Sequence, residues 1–344
     1  VSQPRLSICI PTYNRAKYLP ELLDSIISQA PIDGTLEICI SDNASTDNTK
    51  ELVADYKTKF PYIVYHVNSE NLGADRNFLK CVEIASGEYC WLMGSDDIVL
   101  KNAISYLFKI FSDCSIQKKE VAGFSLNGYM YNNNLSKRAE HTLVSQKKFN
   151  ENSFIYGENI YIKLADYWGF ISSLIINRKI WNLVLSKGIS KKMFNAYVHI
   201  YIAGEMSKKI PCWMYISEPC VGWRSGNDSF RKNGLLERAK IDIYGYEFIA
   251  RHLFGHKSLT YRKHINVIIN RFMKQYLLSI KVNEPQSEFK FMFVCIKTYW
   301  HFPVFWLRVF PLLFVPTKII PSFILKKLRD YYKNSMFKII VEKE

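Results

Sequence analysis

The stretch Gly87-Glu88-Tyr89-Cys90-Trp91-Leu92-Met93-Gly94-Ser95-Asp96-Asp97 is an apolar run that stops abruptly at two adjacent carboxylates. In an open α/β sheet, an interior strand has this pattern where its carboxyl end opens into a ligand crevice. Paired carboxylates there are hard oxygen donors suited to Mg²⁺ or Mn²⁺, metals that commonly hold a substrate's phosphates. The competing reading is a solvated turn, since Asp and Ser favour turns anyway. The chain upstream separates the two.

Working back from Gly87, strands and helices alternate. Residues 6–10 are a short apolar strand closed by Pro11-Thr12-Tyr13-Asn14. Tyr18, Leu19, Leu22, Leu23, Ile26 and Ile27 recur at helical spacing, and Pro31, Asp33 and Gly34 end that helix. Residues 36–40 form a second strand, followed by a helix over 49–59 for which Ser45 or Asp47 is the cap. A third strand covers 62–67, and Asn71-Leu72-Gly73 turns the chain into a helix over 74–85. The rhythm predicts a mostly parallel sheet with helices on both faces. All four strand ends then share one edge, with Thr12 and Asn14, Asp42, Asn71 and Arg76, and Asp96 with Asp97 along it. One cation, several hydrogen-bonding groups and a metal-competent pair fit a nucleoside diphosphate. No Gly-x-Gly-x-x-Gly or Walker-type lysine loop is present, so metal and Arg would hold the phosphates.

Four motifs in fixed order, Ile10-Pro11-Thr12-Tyr13-Asn14-Arg15, Ser41-Asp42-Asn43-Ala44-Ser45-Thr46-Asp47, Asn71-Leu72-Gly73 with Arg76-Asn77, and Gly94-Ser95-Asp96-Asp97, resemble family 2 glycosyltransferases, which have the GT-A fold. Ile171-Ser172-Ser173-Leu174-Ile175-Ile176 and Arg224-Ser225-Gly226-Asn227-Asp228-Ser229-Phe230 resemble the branch that contains the abequosyltransferases, which add a 3,6-dideoxyhexose to a lipid-linked O-antigen unit. The resemblance implies an inverting transferase. Pro11, Thr12, Asn14 and Asn71 would line the donor nucleotide site, with Ser95 and Asp96 beside the diphosphate. Asp42 would contact the pyrimidine, and Arg76 the base or diphosphate. Asp96 or Asp97 would ligate Mg²⁺ or Mn²⁺; a common family version carries a further Asp where Gly94 stands here. The Glu-Asp pair that usually supplies the general base is missing from the expected window. His199 falls there instead, with Asp228 and Glu205 as reserves and a structural histidine as the competing reading. Asp166, Trp168 and Ser172 are the acceptor-side candidates, against a reading of Tyr167 and Trp168 as core. Arg224 opens a loop read as a lid over the donor diphosphate, or as a plain surface loop.

The whole chain of 344 residues carries 46 Lys or Arg against 31 Asp or Glu. From Arg251 onward there are 17 basic and 5 acidic residues, so most of the excess lies in the last quarter. Aromatic and aliphatic residues from Tyr299 to Pro316 precede Lys318, Lys326, Lys327 and Arg329. That mixture reads as a peripheral anchor on an anionic membrane face, with a packed helical bundle as the alternative. Arg308 and four prolines between 303 and 321 argue against a spanning helix. Nucleic acid is disfavoured because no binding motif accompanies the charge. The eight cysteines form no Cys-x-x-Cys, which reads as reduced core thiols in a cytoplasmic protein without a signal peptide.

The expected organisation is a GT-A domain over 1–234, its nucleotide half about 1–130 and its acceptor half about 131–234, then a helical extension over 235–344. The expected reaction moves a sugar from a nucleotide donor, CDP-abequose or another CDP-3,6-dideoxyhexose, to a polyprenyl-diphosphate-linked oligosaccharide at the inner face of the cytoplasmic membrane. A UDP-hexose donor and a non-catalytic saccharide-binding scaffold are the alternatives.

Overall fold

A computed structural model describes residues 3–145, 148–228, 230, 233–326 and 328. The first half alternates as the hydrophobic pattern requires: β1 (Leu6–Thr12), α1 (Leu19–Ile27), β2 (Leu36–Asp42), α2 (Thr49–Lys59), β3 (Ile63–Val67), α3 (Ala74–Glu83), β4 (Tyr89–Leu92), β5 (Ile98–Val99), α4 (Ala103–Ile116) and β6 (Gly123–Tyr131). Next come β7 (Arg138–Thr142), β8 (Ser153–Tyr156), α5 (Asn159–Trp168), β9 (Leu174–Asn177), α6 (Arg178–Leu185), α7 (Val198–Lys209) and β10 (Cys212–Arg224). The helices α8 (Leu235–Phe254), α9 (Leu259–Ile268), α10 (Lys274–Asn283), α11 (Glu288–Tyr299) and α12 (Pro303–Arg308) follow.

The sheet runs β3-β2-β1-β4-β9-β6-β10-β5. β1 pairs parallel with β2 and β4, β2 with β3, and β6 with β10, while β9 lies antiparallel between β4 and β6. The period of two along the strands feeds two cores. Leu6, Ile8 and Ile10 with Trp91 and Met93 face α1, α2 and α4. Cys9, Cys39, Cys90 and Leu92 point the other way, to Cys81 of α3 and the core shared with the C-terminal helices. Thiols are small, so α3 sits close on the sheet; all eight cysteines are free.

The segment read as loop between residues 132 and 148 carries a strand. Asn132 accepts the Lys137 backbone N–H at 3.0 Å, closing a turn that returns β7 against β6. The stripe Leu235, Leu236, Ala239, Ile243, Tyr246 and Ile249 is the buried face of α8, as its spacing requires. α8 packs on α7, α9, α10 and α11, and α9 on α5, so these helices share a core with the sheet domain. Beyond α11 the prolines act as starters of short turns, Pro303 opening α12 and Pro311 a 3₁₀ turn over Phe310–Phe314. Lys327 and Arg329 of the basic cluster lie outside the described residues.

Candidate active site

β1, β2 and β4 end together, and the chain beyond β1 and β4 builds the outer end of a cavity of about 320 Å³. Its floor is Asp97, which is buried. One Asp97 oxygen accepts the Ser172 hydroxyl and the other accepts the Arg224 backbone N–H at 3.0 Å. Ser172 Oγ in turn accepts the Gly94 N–H at 2.8 Å. Burial, and then the neighbouring Asp96, push the Asp97 carboxyl well above the usual carboxylate range. A Cβ on Gly94 would stand 2.7 Å from Asp97 Oδ2, so the further carboxylate common in the family has no room here. Gly94→Ala is expected to cost about 1–3 kcal/mol of stability through overpacking, read as a lowered unfolding midpoint.

Asp96 is the carboxylate that faces the cavity in a partly exposed position. Its Oδ2 accepts from Arg15 at 2.9 Å, and Arg15 also donates to the Asn227 carbonyl at 2.8 Å. Arg15 is a site residue that the motif reading left without a role. The signal was its place directly after Asn14. Arg224 corrects an expectation. Its guanidinium donates to the carbonyls of Asp96 and Asn133, both at 2.6 Å, and pairs with Glu21 of α1. It is a buried strut that locks the β10 end to the floor, and not a free cation over the site.

The ends of β1 and β2 carry a tightly bonded polar shell. Asp42 is buried, accepting the Ser45 N–H at 2.8 Å and the Tyr65 hydroxyl at 2.6 Å. Burial, and then that bond, raise the Tyr65 pKa. Asn14 adopts φ 52° and accepts from Thr46 N at 2.8 Å, clasping the β1 and β2 ends. Pro11 and Thr12 close β1, and the buried Thr12 hydroxyl has no partner among the described residues. Asn71 accepts from Asn43 Nδ2 at 2.8 Å, and Asn43 Oδ1 accepts from Leu72 N at 2.9 Å. Asn43 and Tyr65 escaped the sequence reading because only the folded loop shows what they hold. Ser95 is buried beside Asp96. Arg76 is exposed on α3 with its guanidinium 5.5 Å from the Phe194 ring centre, and it does not line the cavity.

On the opposite wall stands His199, one residue into α7. Asp75 of α3 fixes that helix start by accepting the N–H groups of Ala196 at 2.8 Å and Val198 at 3.3 Å. His199 is buried and lines the cavity. Its Nε2 lies 2.8 Å from the Trp168 carbonyl, which only accepts, so that nitrogen carries the proton. Nδ1 has no hydrogen-bond partner among the described residues. Burial lowers its pKa to about 4. Asp228 also lines the cavity, paired with Arg238 at 2.7 Å. Glu205 does not: one face further along α7 it pairs with Lys208 at 2.6 Å.

Two acceptor candidates are placed elsewhere. Trp168 is core, its indole N–H donating to Ser125 Oγ at 2.8 Å. Ser172 supports the Asp97 floor. Asp166 does line the inner cavity, paired with Arg271.

The profile of "Glycosyl transferase family 2" matches residues 7–177. The abequosyltransferase RfbV of Salmonella typhimurium is 34% identical over 277 residues, covering 77% of this chain and 80% of the relative. The chain belongs to glycosyltransferase family 2. It is a glycosyltransferase, and the scaffold reading gives way. A Campylobacter jejuni protein named GalNAc(5)-diNAcBac-PP-undecaprenol beta-1,3-glucosyltransferase is 27% identical over 222 residues, covering 57% of this chain and 71% of that one. Among solved structures, Staphylococcus aureus TarS 1–349 superposes with a TM-score of 0.62 at 16% identity, covering 97% of this chain and 93% of that chain, which shows the GT-A fold. The match reaches across the C-terminal helices of this glycosyltransferase as well as its sheet.

Proposed function

We propose that this glycosyltransferase moves a 3,6-dideoxyhexose from a CDP donor to a lipid-diphosphate-linked saccharide for a bacterial surface glycan. The observation that carries this reading is the extent of the likeness to the abequosyltransferase. Its alignment covers 77% of the chain, so it runs well past Asn177, where the family profile ends. The alignment therefore takes in α8, whose Arg238, Asp242 and Tyr246 line the cavity. The Campylobacter relative, whose name carries PP-undecaprenol, supports the acceptor class.

In this reading the donor's base sits against Asp42, each of whose oxygens keeps a second lone pair for it. Its diphosphate lies beside Arg15 and Asp96. A divalent metal there would be held by Asp96 and by the donor's own phosphates, since Asp97 is buried, with burial favouring its uncharged form. Such a metal neutralises charge on the departing diphosphate. Among the described residues no group of three ligand side chains forms a cage, which fits a substrate-completed site. His199 Nδ1 takes the acceptor hydroxyl's proton as that hydroxyl attacks the anomeric carbon. A base this weak accepts the proton late, when the attacking oxygen has become acidic.

Calorimetric titration of CDP and UDP, each with and without Mn²⁺, tests the donor. CDP binding at least about tenfold tighter is expected. UDP preference would replace the dideoxyhexosyl donor with a UDP-hexose.

The same protein is proposed to lie on the inner membrane surface. No helix among the described residues is long and apolar enough to cross a bilayer. α11 nevertheless exposes Phe289 at 76%, Phe293 at 69% and, just past its end, Trp300 at 63%. Lys290 and Lys297 are exposed on the same helix, and Leu307, Phe314, Ile319 and Phe323 continue the apolar exposure beside Arg308, Lys318 and Lys326. Apolar anchors interleaved with cations are what an anionic interface binds. Phe293→Glu is expected to reduce sedimentation with vesicles containing anionic lipid at least about tenfold while leaving nucleotide binding intact. Equal sedimentation of variant and wild type would remove this surface from consideration.

A further inference from the structure

We infer that the inner end of the cavity is a subsite for one uncharged sugar ring of the acceptor, selected by the π-helical turn Ile269–Met273. This inference rests on the glycosyltransferase reading of the outer end. The turn interrupts what would otherwise be a continuous helix from α9 into α10. Such wide turns are rare and cluster at functional sites. Here it lets two consecutive residues, Arg271 and Phe272, line the same wall.

Their surroundings fit a neutral polyhydroxyl ring. The Arg271 guanidinium sits 3.9 Å over the Tyr167 ring and donates to Asp166 Oδ2. Phe272 stacks on Tyr246 with ring centres 5.7 Å apart and planes 15° apart. Tyr167, Tyr246 and Phe272 all line the cavity, an aromatic wall on which the C–H side of a pyranose can pack. Asp166 is buried, yet its Oδ1 has no hydrogen-bond partner among the described residues; the Lys148 ammonium stands 3.7 Å off, in ion-pair range only. That oxygen is poised to accept a hydroxyl.

Charge balance excludes an anion. Arg271 is paired with Asp166, and the next cation on the wall, Arg238, is paired with both Asp228 and Asp242. A phosphate or carboxylate entering here would meet a carboxylate beside every cation. A hydroxyl, which donates and accepts, finds a partner in each pair. The lipid diphosphate is therefore held outside this subsite. A site built to hydrogen-bond hydroxyls discriminates strongly, because an unmatched buried group is left unpaired.

The test is saturation-transfer NMR and titration with CDP or UDP already bound. The probes are methyl glycosides of glucose, galactose, mannose and rhamnose, methyl glucuronide, and inorganic pyrophosphate. At least one neutral glycoside is expected to bind. Arg271→Gln and Phe272→Ala are expected to weaken it about tenfold or more while nucleotide affinity stays within about twofold. If Arg271→Gln loses nucleotide binding through misfolding, Phe272→Ala decides alone. The inference falls if no neutral glycoside binds wild type, if both variants bind as wild type does, or if glucuronide or pyrophosphate binds in an Arg271-dependent way. Failure of wild type to bind either nucleotide would instead strike the reading of the outer end.

Discussion

Asp96→Ala is expected to lower turnover by about 10²–10³-fold, with nucleotide affinity in the absence of metal little changed. Both adjacent carboxylates line the cavity, but Asp96 is partly exposed beside Arg15, whereas Asp97 is buried under Ser172 and the Arg224 backbone. The two variants should therefore separate. Asp96→Ala should fold with a near-normal unfolding midpoint and lose the Mn²⁺ enhancement of nucleotide binding. Asp97→Ala should lose stability first, since it leaves the Arg224 N–H without its acceptor at the centre of the floor. Steady-state kinetics, calorimetry with and without Mn²⁺, and thermal unfolding distinguish them. An Asp96→Ala enzyme with wild-type turnover would move the metal and diphosphate away from this edge.

His199→Ala is expected to reduce kcat about 10²–10⁴-fold while donor binding is kept, the ordinary yield of a positioned general base. The pH dependence carries a sharper signature. Burial lowers the His199 pKa to about 4 from an ordinary 6.5, so the ring is already neutral at pH 6 and no acid limb near 6.5 belongs to it. The same shift has a cost in stability. The unfolded histidine binds a proton below pH 6.5 and the folded one does not until about pH 4, so stability is lost as pH falls through that interval. At pH 5 the loss is about 2 kcal/mol for this residue. His264, buried with neither nitrogen hydrogen-bonded among the described residues and lowered likewise to about 4, adds a similar amount. Asp75 and Asp97, whose carboxyls burial raises, act in the opposite sense. Comparing wild type with His199→Gln across pH 7 to 5 isolates the histidine. A His199→Ala enzyme with normal kcat would sink the assignment of the base, whereas a kcat profile breaking near 6.5 that vanishes in the variant would keep the base and overturn its lowered pKa.

Much of the donor half was legible because its information is local. The period of two in β1, β2 and β4, the turn residues at their ends, and the Gly94-Ser95-Asp96-Asp97 run are all written within short windows. A parallel sheet then has no freedom but to gather those ends on one edge. The stripe on α8 was equally readable, because a buried helix face repeats every few residues.

What the sequence left open is what depends on distant partners. Asp96 and Asp97 are adjacent and chemically identical; Ser172 and Arg224, 75 and 127 residues further on, decide that one is floor and the other faces the ligand. Arg224 read as a lid because a cation in a glycine-containing loop looks free until Glu21 and two carbonyls close on it. Trp168 read as a sugar platform until β6 supplied Ser125 for its indole. The C-terminal helices hold the largest lesson. Their charge and aromatic content announced a surface-seeking tail; Phe289, Phe293, Trp300, Leu307 and Phe314 are exposed, while Tyr299, Phe302, Phe305 and Val309 are buried in the core, as a packed helical bundle requires. Their other face, with Arg238, Asp242, Tyr246, Arg271 and Phe272, walls the same cavity as Asp96. Local pattern determines which face of a helix is buried; only tertiary packing decides what it is buried against, and here that is the cavity that also holds Asp96.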